Sequence, residues 1–219
     1  MASKKYNVVT IGGGLGGAAL AKNMAENGAK VLVLESETQF KDRVRGEVLM
    51  PWGVAEAKEL GIYDVIKAAG GKEVEWQETS LNGSAPVRRH MPTTTISNSP
   101  RLNFYHLDMQ ESVLEAASNA GAEVLRGTRV REFVAGESPK VIAELNGGFQ
   151  EFTTRLVVGA DGRSSQARTW GGFQIKRNPD QTYIAGVLLD NMSVDDGTSQ
   201  NVRVFDRCLT ALLFPQGNR

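Results

Sequence analysis

The sequence predicts an α/β protein built on a strand–helix–strand unit, with antiparallel strands inserted later in the chain. Tyr6–Ile11 is a β-branched run that stops abruptly at glycine, helix-forming residues continue to Asn27-Gly28, and a second apolar run occupies residues 30–34. A third apolar run, Leu156–Val158, also stops in a glycine-bearing loop. Buried parallel strands that end in tight turns give this pattern, and the first three segments form a right-handed βαβ unit.

The composition is that of a globular protein without a net electrostatic field. Of the 219 residues, 41% are hydrophobic and 23% are charged, and 25 Lys and Arg balance 25 Asp and Glu. Net charge therefore attracts neither nucleic acid nor anionic lipid, and any anion must be bound by local geometry. No stretch reaches the ~18 apolar residues of a membrane helix. We expect a cytoplasmic protein with no nucleic-acid partner and no integral membrane segment.

Residues that usually carry metal or covalent chemistry are sparse. The single cysteine, Cys208, excludes an intramolecular disulfide and lies in a strand-like run, where we expect a small buried hydrophobe. His90 and His106 have no partners at metal-site or triad spacing. We expect no metal site and assign no catalytic side chain.

The rest of the chain alternates between helical and strand patterns. Helices are predicted over residues 54–60 and 64–69 and over Asp108–Ala120, with Asp108 as the N-cap. Asn146-Gly147-Gly148 predicts a hairpin turn. Strands are predicted over residues 74–81, 123–125, 130–134, 141–145, 149–152, 184–189, 202–205 and 209–214, the last three being antiparallel.

The strongest motif is Gly12-Gly13-Gly14-Leu15-Gly16-Gly17, a GxGxxG placed after a strand and before a helix. Gly12 permits the tight turn, Gly14 lets the backbone approach a pyrophosphate, and Gly17 lets the helix pack closely on the sheet. The N–H groups at the helix start, which include those of Leu15 and Gly16, then bind the anion. The motif therefore predicts a dinucleotide site.

Glu35 ends the second strand, about 20 residues after the glycines, as the dinucleotide fingerprint requires. A carboxylate there accepts hydrogen bonds from a ribose hydroxyl pair and repels a 2′-phosphate, so an adenosine with a free ribose is favoured over NADP. The alternative is that the glycines only make a tight turn and that Glu35 is a solvated strand end.

The chain resembles the N-terminal portion of the FAD-dependent monooxygenase family, the aromatic-hydroxylase-like flavoproteins, and is also similar to flavoproteins of the geranylgeranyl-reductase and halogenase types. The matching pieces are residues 12–17, 42–47, 110–121 and 158–165. The resemblance implies a three-layer, Rossmann-like FAD-binding fold with an inserted antiparallel substrate-binding region. Its expected parts are an FAD-binding βαβ unit (1–72), substrate-region strands (73–105), an FAD-binding continuation (106–178) and a partial substrate-domain sheet (179–219).

The resemblance also implies cofactor contacts outside the glycine motif. In the family, an Arg-rich loop after the second strand lies along the flavin, which carries over to Arg43 and Arg45. A solvated basic loop is the alternative. Gln110 matches a helix-opening position that can hydrogen-bond the cofactor, although a solvent-facing polar residue would look the same. Val130 matches a place where backbone touches adenine, while its side chain is expected in the strand core.

The Gly159-Ala160-Asp161-Gly162 segment resembles the family's Asp-Gly motif, which meets both FAD and reduced nicotinamide. Asp161 would hold ribose or ribityl hydroxyls, and Gly162 would allow a turn that needs positive φ. Asp-Gly pairs are common in turns, so this segment distinguishes FAD from NAD only together with the first motif.

The implied activity is oxidation of a small, partly apolar organic substrate by FAD, with NAD(P)H as a transient reductant and oxygen as co-substrate. A flavin-dependent reductase or halogenase stays open, as does a non-catalytic nucleotide-binding module. The family's third cofactor segment, with a Gly-Asp-Ala sequence, is missing, and the chain stops where the family is in mid-sheet. We expect a fragment or a shortened protein that holds FAD weakly or needs a partner chain or a dimer to cover exposed sheet edges.

Overall fold

A computed structural model describes residues 5–43, 46–179 and 183–216 of the chain. Its strands in chain order are β1 (Lys5–Ile11), β2 (Val31–Leu34), β3 (Val48–Leu49), β4 (Lys72–Val74), β5 (Trp76–Leu81), β6 (Val87–His90), β7 (Arg101–Asn103), β8 (Glu123–Leu125), β9 (Arg129–Val134), β10 (Lys140–Leu145), β11 (Gly148–Gly159), β12 (Thr198–Val204) and β13 (Leu209–Leu213). Its helices are α1 (Leu15–Glu26), α2 (Pro51–Glu59), α3 (Tyr63–Ala68), α4 (Met91–Thr94), α5 (His106–Asn119) and α6 (Gln166–Trp170).

The chain forms two compact units. The first unit combines residues 1–41 with 110–183, and the second combines residues 42–109 with 184–219. Residues 42–72, which the sequence groups with the βαβ unit, fall in the second unit because β3 and β4 both pair with β7 there. The division of the chain into four functional parts stays a prediction.

The first unit is built on a six-stranded sheet with the order β8-β2-β1-β11-β10-β9. Strands β8, β2, β1 and β11 are parallel, whereas β10 pairs antiparallel with both β11 and β9. Helix α1 connects β1 to β2 and ends at Glu26, with Asn27 as its C-cap and Gly28 following at φ +81°. The predicted βαβ unit is therefore confirmed.

The core of this unit lies on the sheet and joins its parallel and antiparallel parts. Its buried side chains are Tyr6, Val9, Ile11, Leu32, Leu34, Val141, Ala143 and Phe152. Burying an aliphatic or aromatic side chain contributes roughly 1.5–3 kcal/mol each. Strands β1 and β2 are buried as predicted, as is usual for parallel strands covered on both faces. The third predicted run, Leu156–Val158 in β11, is not buried: Leu156 is exposed and the two valines are half-buried.

A hydrogen bond between β1 and β8 makes the stability of the fold sensitive to alkaline pH. The Tyr6 hydroxyl donates to Glu123 Oε2 at 2.8 Å, and burial, followed by the hydrogen bond and charge of Glu123, raises the pKa of Tyr6 above its ordinary value. A raised folded-state pKa stabilises the fold below pH ~10, and that contribution is lost as the pH rises further.

We expect Tyr6→Phe to cost about 1 kcal/mol at neutral pH and to flatten the loss of stability above pH ~10. Urea unfolding at pH ~8 and pH ~10.5 measures both effects. The pKa of Tyr63 is raised too, by burial and by Glu73, so the single variant removes part of the slope and Tyr6→Phe/Tyr63→Phe removes more. An unchanged slope in the double variant would contradict this account.

The β10–β11 hairpin turns where the sequence predicts it. Asn146 and Gly147 both have positive φ, +52° and +75°, as a two-residue turn matched to strand twist requires. Strand β11 is longer than expected: it runs from Gly148 to Gly159 as one strand. Its first half pairs with β10 and its second half with β1, so one strand links the hairpin to the parallel sheet.

The second unit contains two smaller sheets. A four-stranded sheet has the order β13-β12-β5-β6, and a three-stranded sheet has the order β3-β7-β4. Every pairing in them is antiparallel except β12 with β5. The predicted antiparallel region is thus present, but it contains one parallel strand pairing that the alternating sequence pattern did not indicate.

Three local predictions are wrong. Residues 184–189 form no strand, because no neighbouring strand among the described residues takes their hydrogen bonds, and their large apolar side chains are exposed. Cys208 is exposed rather than buried, since it has φ +48° and follows a 3₁₀ turn at the reversal between β12 and β13. Helix α5 begins at His106, so Asp108 lies inside its first turn and is not the N-cap.

None of the helices in the described part of the chain has both the length and the apolar character needed to cross a bilayer.

Candidate functional site

The turn between β1 and α1 is held from two sides. The Gly12 N–H donates to the Leu34 carbonyl at 2.8 Å, and the Ala160 N–H donates to the Ile11 carbonyl at 2.8 Å. Gly12 has φ +102°, and a Cβ added there would lie 2.4 Å from the Ala160 carbonyl oxygen. The tight turn therefore needs glycine both for its backbone conformation and for the close approach of the loop after β11.

Among the other glycines of the motif, Gly17 differs from Gly14 and Gly16. A Cβ on Gly17 would lie 2.1 Å from the Gly12 carbonyl oxygen, so α1 packs directly on the turn. A Cβ on Gly14 would meet only Gln110 Nε2, at 3.7 Å, and one on Gly16 would meet nothing within 4 Å. The packing of the chain itself thus requires Gly12 and Gly17, whereas Gly14 and Gly16 border open space.

The N-terminus of α1 offers hydrogen-bond donors to that space. Gly14 is the N-cap and has no side-chain cap hydrogen bond, and the first helical bond runs from the Ala18 N–H to the Gly14 carbonyl. The N–H groups of Leu15, Gly16 and Gly17 precede that bond and have no intrahelical acceptor. Donors aligned with the helix dipole in this way bind phosphate oxygens.

Glu35 is buried at the same turn, with 6% of its surface exposed. Its Oε2 accepts from the Gly13 N–H at 2.7 Å, and its Oε1 accepts from the Glu37 N–H at 2.8 Å and from the Ser36 hydroxyl at 3.2 Å. Two carboxylate oxygens offer about four lone-pair positions, so acceptor capacity remains. Glu35 is therefore not a solvated strand end.

A cluster that the sequence does not reveal supports the Glu35 segment. Arg126, after β8, forms a two-pronged ion pair with Glu111 of α5 and lies 4.8 Å from the centre of the Phe40 ring. The Phe40 N–H also donates to Glu111, at 3.1 Å. The three residues are far apart in sequence and match no motif. Together they tie the chain after β2 to α5 and to the loop after β8.

The loop after β8 also runs along Glu35 through backbone hydrogen bonds. The Glu35 N–H donates to the Leu125 carbonyl and the Thr128 N–H donates to the Glu35 carbonyl, both at 2.9 Å. Val130 follows in β9, where it pairs with Ala143 and packs half-buried against the core. Its side chain is strand core, as expected.

Asp161 lies at the glycine turn, with its Cα 3.1 Å from the position of an added Gly12 Cβ. Its Oδ2 accepts from the Gln166 and Ala167 N–H groups at 2.7 and 3.0 Å, which caps α6. Its Oδ1 is buried and has no hydrogen-bond partner among the described residues. Gly162 follows with φ +79°, which confirms the positive φ predicted for this turn.

We expect Asp161→Asn to distinguish the roles of the two carboxylate oxygens of this side chain. The amide oxygen can keep the cap on α6, so the melting temperature changes little, whereas the new NH₂ group replaces the unpaired acceptor. Asp161→Ala also removes the two hydrogen bonds to the first turn of α6, although the N-cap Ser165 stays in place, and it costs about 1 kcal/mol more. Thermal melts and isothermal titration with FAD measure the two effects, and equal FAD affinity in wild type and Asp161→Asn would show that Oδ1 does not serve the ligand.

The predicted site residues are only partly brought together. The glycine turn, Glu35, Gln110 and Asp161 meet around the start of α1 in the first unit. Arg43 is exposed and belongs to the second unit, and Arg45 lies outside the described residues.

The donor set fits one end of a dinucleotide. N–H groups without acceptors, open space beside Gly14 and a buried carboxylate with spare acceptor capacity match a pyrophosphate next to a ribose. The buried, unpartnered Oδ1 of Asp161 provides a second acceptor on the other side of the turn. The residues present therefore fit an adenosine-containing dinucleotide such as FAD.

Comparison with known proteins agrees with this geometry. The family model described as FAD binding domain matches residues 5–210. The 6-hydroxy-3-succinoylpyridine 3-monooxygenase HspB of Pseudomonas putida is 30% identical over 182 residues, which cover 76% of this chain and 43% of HspB. A digeranylgeranylglycerophospholipid reductase of Methanothrix thermoacetophila is 26% identical over 200 residues, which cover 88% of this chain and 48% of the reductase.

Solved structures share the fold at low sequence identity. A mutant of P. aeruginosa PqsL superposes with a TM-score of 0.78 at 22% identity, over 98% of this chain and 58% of PqsL. The α/β fold is therefore that of FAD-binding monooxygenases, as predicted. The chain spans less than half the length of the two curated relatives described above.

Proposed function

Because the chain belongs to the FAD binding domain family, we propose that its first unit binds FAD as part of a flavin-dependent monooxygenase. The observation that carries this proposal is the buried Glu35 carboxylate, hydrogen-bonded to Gly13 beside the uncapped start of α1. The Glu35 carboxylate holds the turn through three hydrogen bonds and still has acceptor capacity beside the helix start, as a ribose next to a pyrophosphate requires.

Each polar group of the site has a distinct part in this proposal. The N–H groups at Leu15 and Gly16 bind the pyrophosphate, and Gly14 leaves room for it. Glu35 accepts from the ribose hydroxyls, and the Val130 backbone borders adenine. Further contacts along the cofactor come from Gln110 and from Asp161 with the turn at Gly162. The cofactor contacts expected of Arg43 and Arg45 stay predictions from the family resemblance.

The reaction that we propose is hydroxylation or epoxidation of a small organic molecule. When bound, FAD would take electrons from NAD(P)H and activate oxygen, which side chains cannot do. The protein binds and orients both ring system and substrate and excludes water. The name of HspB, a monooxygenase, supports this class over a reductase, a halogenase or a non-catalytic module. A single cysteine suits a reducing cytoplasm.

We expect Gly14→Ala to weaken FAD binding without unfolding the chain. Gly14 has φ −65° and ψ 179°, which any residue adopts, and its added Cβ would make only an ordinary contact. The fold should stay within about 0.5 kcal/mol of wild type. The new methyl group would occupy the approach of the pyrophosphate and lower FAD affinity by about tenfold or more, roughly 1.4 kcal/mol.

Gly16→Ala is the matched comparison for that variant. It adds the same methyl group two residues later, at an exposed position, and keeps the N–H that would bind the pyrophosphate. We expect it to bind FAD as tightly as wild type in a calorimetric titration, and we expect the flavin absorption band of the FAD-saturated variant to bleach with NAD(P)H under nitrogen. Equal FAD affinity in Gly14→Ala and wild type would refute the assignment of the pyrophosphate to this turn.

A further inference from the structure

The carboxylate of Glu35 is held from two directions. Its Oε2 accepts from the Gly13 N–H at 2.7 Å, on the side of the glycine turn. Its Oε1 accepts from the Glu37 N–H at 2.8 Å and from the Ser36 hydroxyl at 3.2 Å. The direction of its remaining lone pairs therefore depends on the backbone of the segment that follows β2.

The near end of that segment is fixed by the loop after β8. The Glu35 N–H donates to the Leu125 carbonyl and the Thr128 N–H donates to the Glu35 carbonyl, both at 2.9 Å. A Cβ added to Gly127 would lie 3.0 Å from Thr38 Cγ2. The two loops therefore remain in close contact as far as Thr38.

The far end of the segment is fixed by the cluster of Phe40, Glu111 and Arg126. Glu111 Oε1 accepts from the Phe40 N–H at 3.1 Å and from Arg126 Nη1 at 3.2 Å, while Oε2 accepts from Arg126 Nη2. The guanidinium also lies 4.8 Å from the centre of the Phe40 ring. A planar guanidinium can bind a carboxylate with two parallel hydrogen bonds and stack on a ring, which an ammonium group cannot do.

The cluster also fixes the turn of α5 that faces the nucleotide turn. Glu111 directly follows Gln110, whose Nε2 lies 3.7 Å from the position of a Cβ added to Gly14. Leu114 Cδ2 lies 3.1 Å from the corresponding position on Gly13. The cluster therefore connects three segments that border the candidate site: the chain after β2, the start of α5 and the loop after β8.

The ion pair of the cluster is too exposed to be explained by stability alone. The side chains of Arg126 and Glu111 are 27% and 41% exposed, and water screens ion pairs at such positions. Removing the pair should therefore leave the chain folded. What the pair provides is a defined position for Phe40 and, through the short segment before it, for the donors that hold Glu35 Oε1.

We propose that Glu111 and Arg126 are positioning residues that direct the Glu35 carboxylate toward a ribose 2′-hydroxyl. The inference rests on the proposed function, because it concerns the same FAD site. With Phe40 held in place, Glu35 is oriented before the nucleotide arrives, and less conformational entropy is lost on binding. Without the cluster, the nucleotide itself has to order this segment.

The test titrates the full chain by calorimetry with ADP, which contains the adenosine and pyrophosphate of FAD, and with 2′-deoxy-ADP. The ratio of the two dissociation constants isolates the 2′-hydroxyl contact, because a variant that only loosens the fold weakens both nucleotides alike. We expect wild type to bind ADP about tenfold or more tightly than 2′-deoxy-ADP.

Glu111→Gln should reduce this ratio to about threefold or less and weaken FAD binding by about threefold or more. A glutamine has one acceptor oxygen, so it cannot accept from the Phe40 N–H and from both prongs of Arg126. Arg126→Lys keeps the positive charge but loses the planar fork and the ring stacking. It should reduce the ratio as well, and it tests the inference independently if Glu111→Gln fails to fold.

Two matched controls make the same chemical change elsewhere in the first unit. Glu115→Gln removes a carboxylate at an exposed position one turn later in α5. Glu144→Gln removes the carboxylate that accepts from two nitrogens of Arg131, between β9 and β10. Both variants should keep the wild-type ratio.

Three results would overturn the inference while leaving FAD binding intact. The first is an unchanged ratio in Glu111→Gln and Arg126→Lys, and the second is an equal fall of the ratio in the control variants. The third is equal affinity of wild type for ADP and 2′-deoxy-ADP. Wild type that binds neither ADP nor FAD would instead contradict the proposed function, and the inference with it.

Discussion

Gly17→Ala should abolish the folded first unit or destabilise it by about 3 kcal/mol or more. The added methyl carbon would lie 2.1 Å from the Gly12 carbonyl oxygen and 3.1 Å from the Ala160 side chain. The nearer neighbour is backbone in a turn that β2 and the loop after β11 both hold by hydrogen bonds. Since neither side can retreat without breaking the sheet, α1 must shift away from it. Chemical denaturation followed by circular dichroism measures the loss.

Gly16→Ala in the same helix is the control for this prediction. Its methyl group would meet no atom within 4 Å, and alanine favours a helix over glycine by up to about 1 kcal/mol. We therefore expect opposite signs for two identical substitutions at adjacent positions. Similar stabilities for the two variants would show that the close approach of α1 to the turn is not what the motif provides.

Glu35→Gln should reduce FAD affinity by about tenfold or more and destabilise the chain by about 1–3 kcal/mol. Both carboxylate oxygens accept from backbone N–H groups, those of Gly13 and Glu37. A glutamine amide has one acceptor oxygen, so its NH₂ group must face one of these donors. The buried mismatch weakens the turn and removes an acceptor for the ribose hydroxyls.

Glu37→Gln is a suitable control because it makes the same chemical change two residues later. The Glu37 carboxylate pairs with Lys41 at 3.1 Å near the surface, and an exposed ion pair contributes about 0–1 kcal/mol. Denaturant midpoints and calorimetric titration with FAD should therefore change little. If Glu35→Gln binds FAD as tightly as Glu37→Gln does, the carboxylate does not contact the cofactor.

Local signals account for most of what could be predicted from the sequence. The glycine turn, the hairpin at Asn146-Gly147 and the turn at Gly162 each need positive φ, and glycine or asparagine at those positions reports it directly. The two buried strands β1 and β2 were predictable from composition, since β1 is rich in β-branched residues and stops at Gly12 and β2 is the apolar run Val31–Leu34.

Features that depend on distant partners could not be predicted. The cluster of Phe40, Glu111 and Arg126 joins three segments without any shared motif. The apolar alternation of residues 184–189 describes a strand only if another strand lies beside it, and a sequence pattern does not report that neighbour. The burial of Arg101 on β7 is hidden for the same reason, because its side-chain partner Gln77 comes from β5.

The hydrogen bond from the Ala160 N–H to the Ile11 carbonyl has a consequence for synthesis of the chain. The turn between β1 and α1 is synthesised early, whereas Ala160 and Asp161, which pack against it, are synthesised much later. At a translation rate of about 5–20 residues per second, the turn is exposed for roughly 7–30 s before Ala160 and Asp161 are synthesised. Until then β1 presents an unpaired edge, so pauses in translation between these points should increase aggregation and dependence on chaperones.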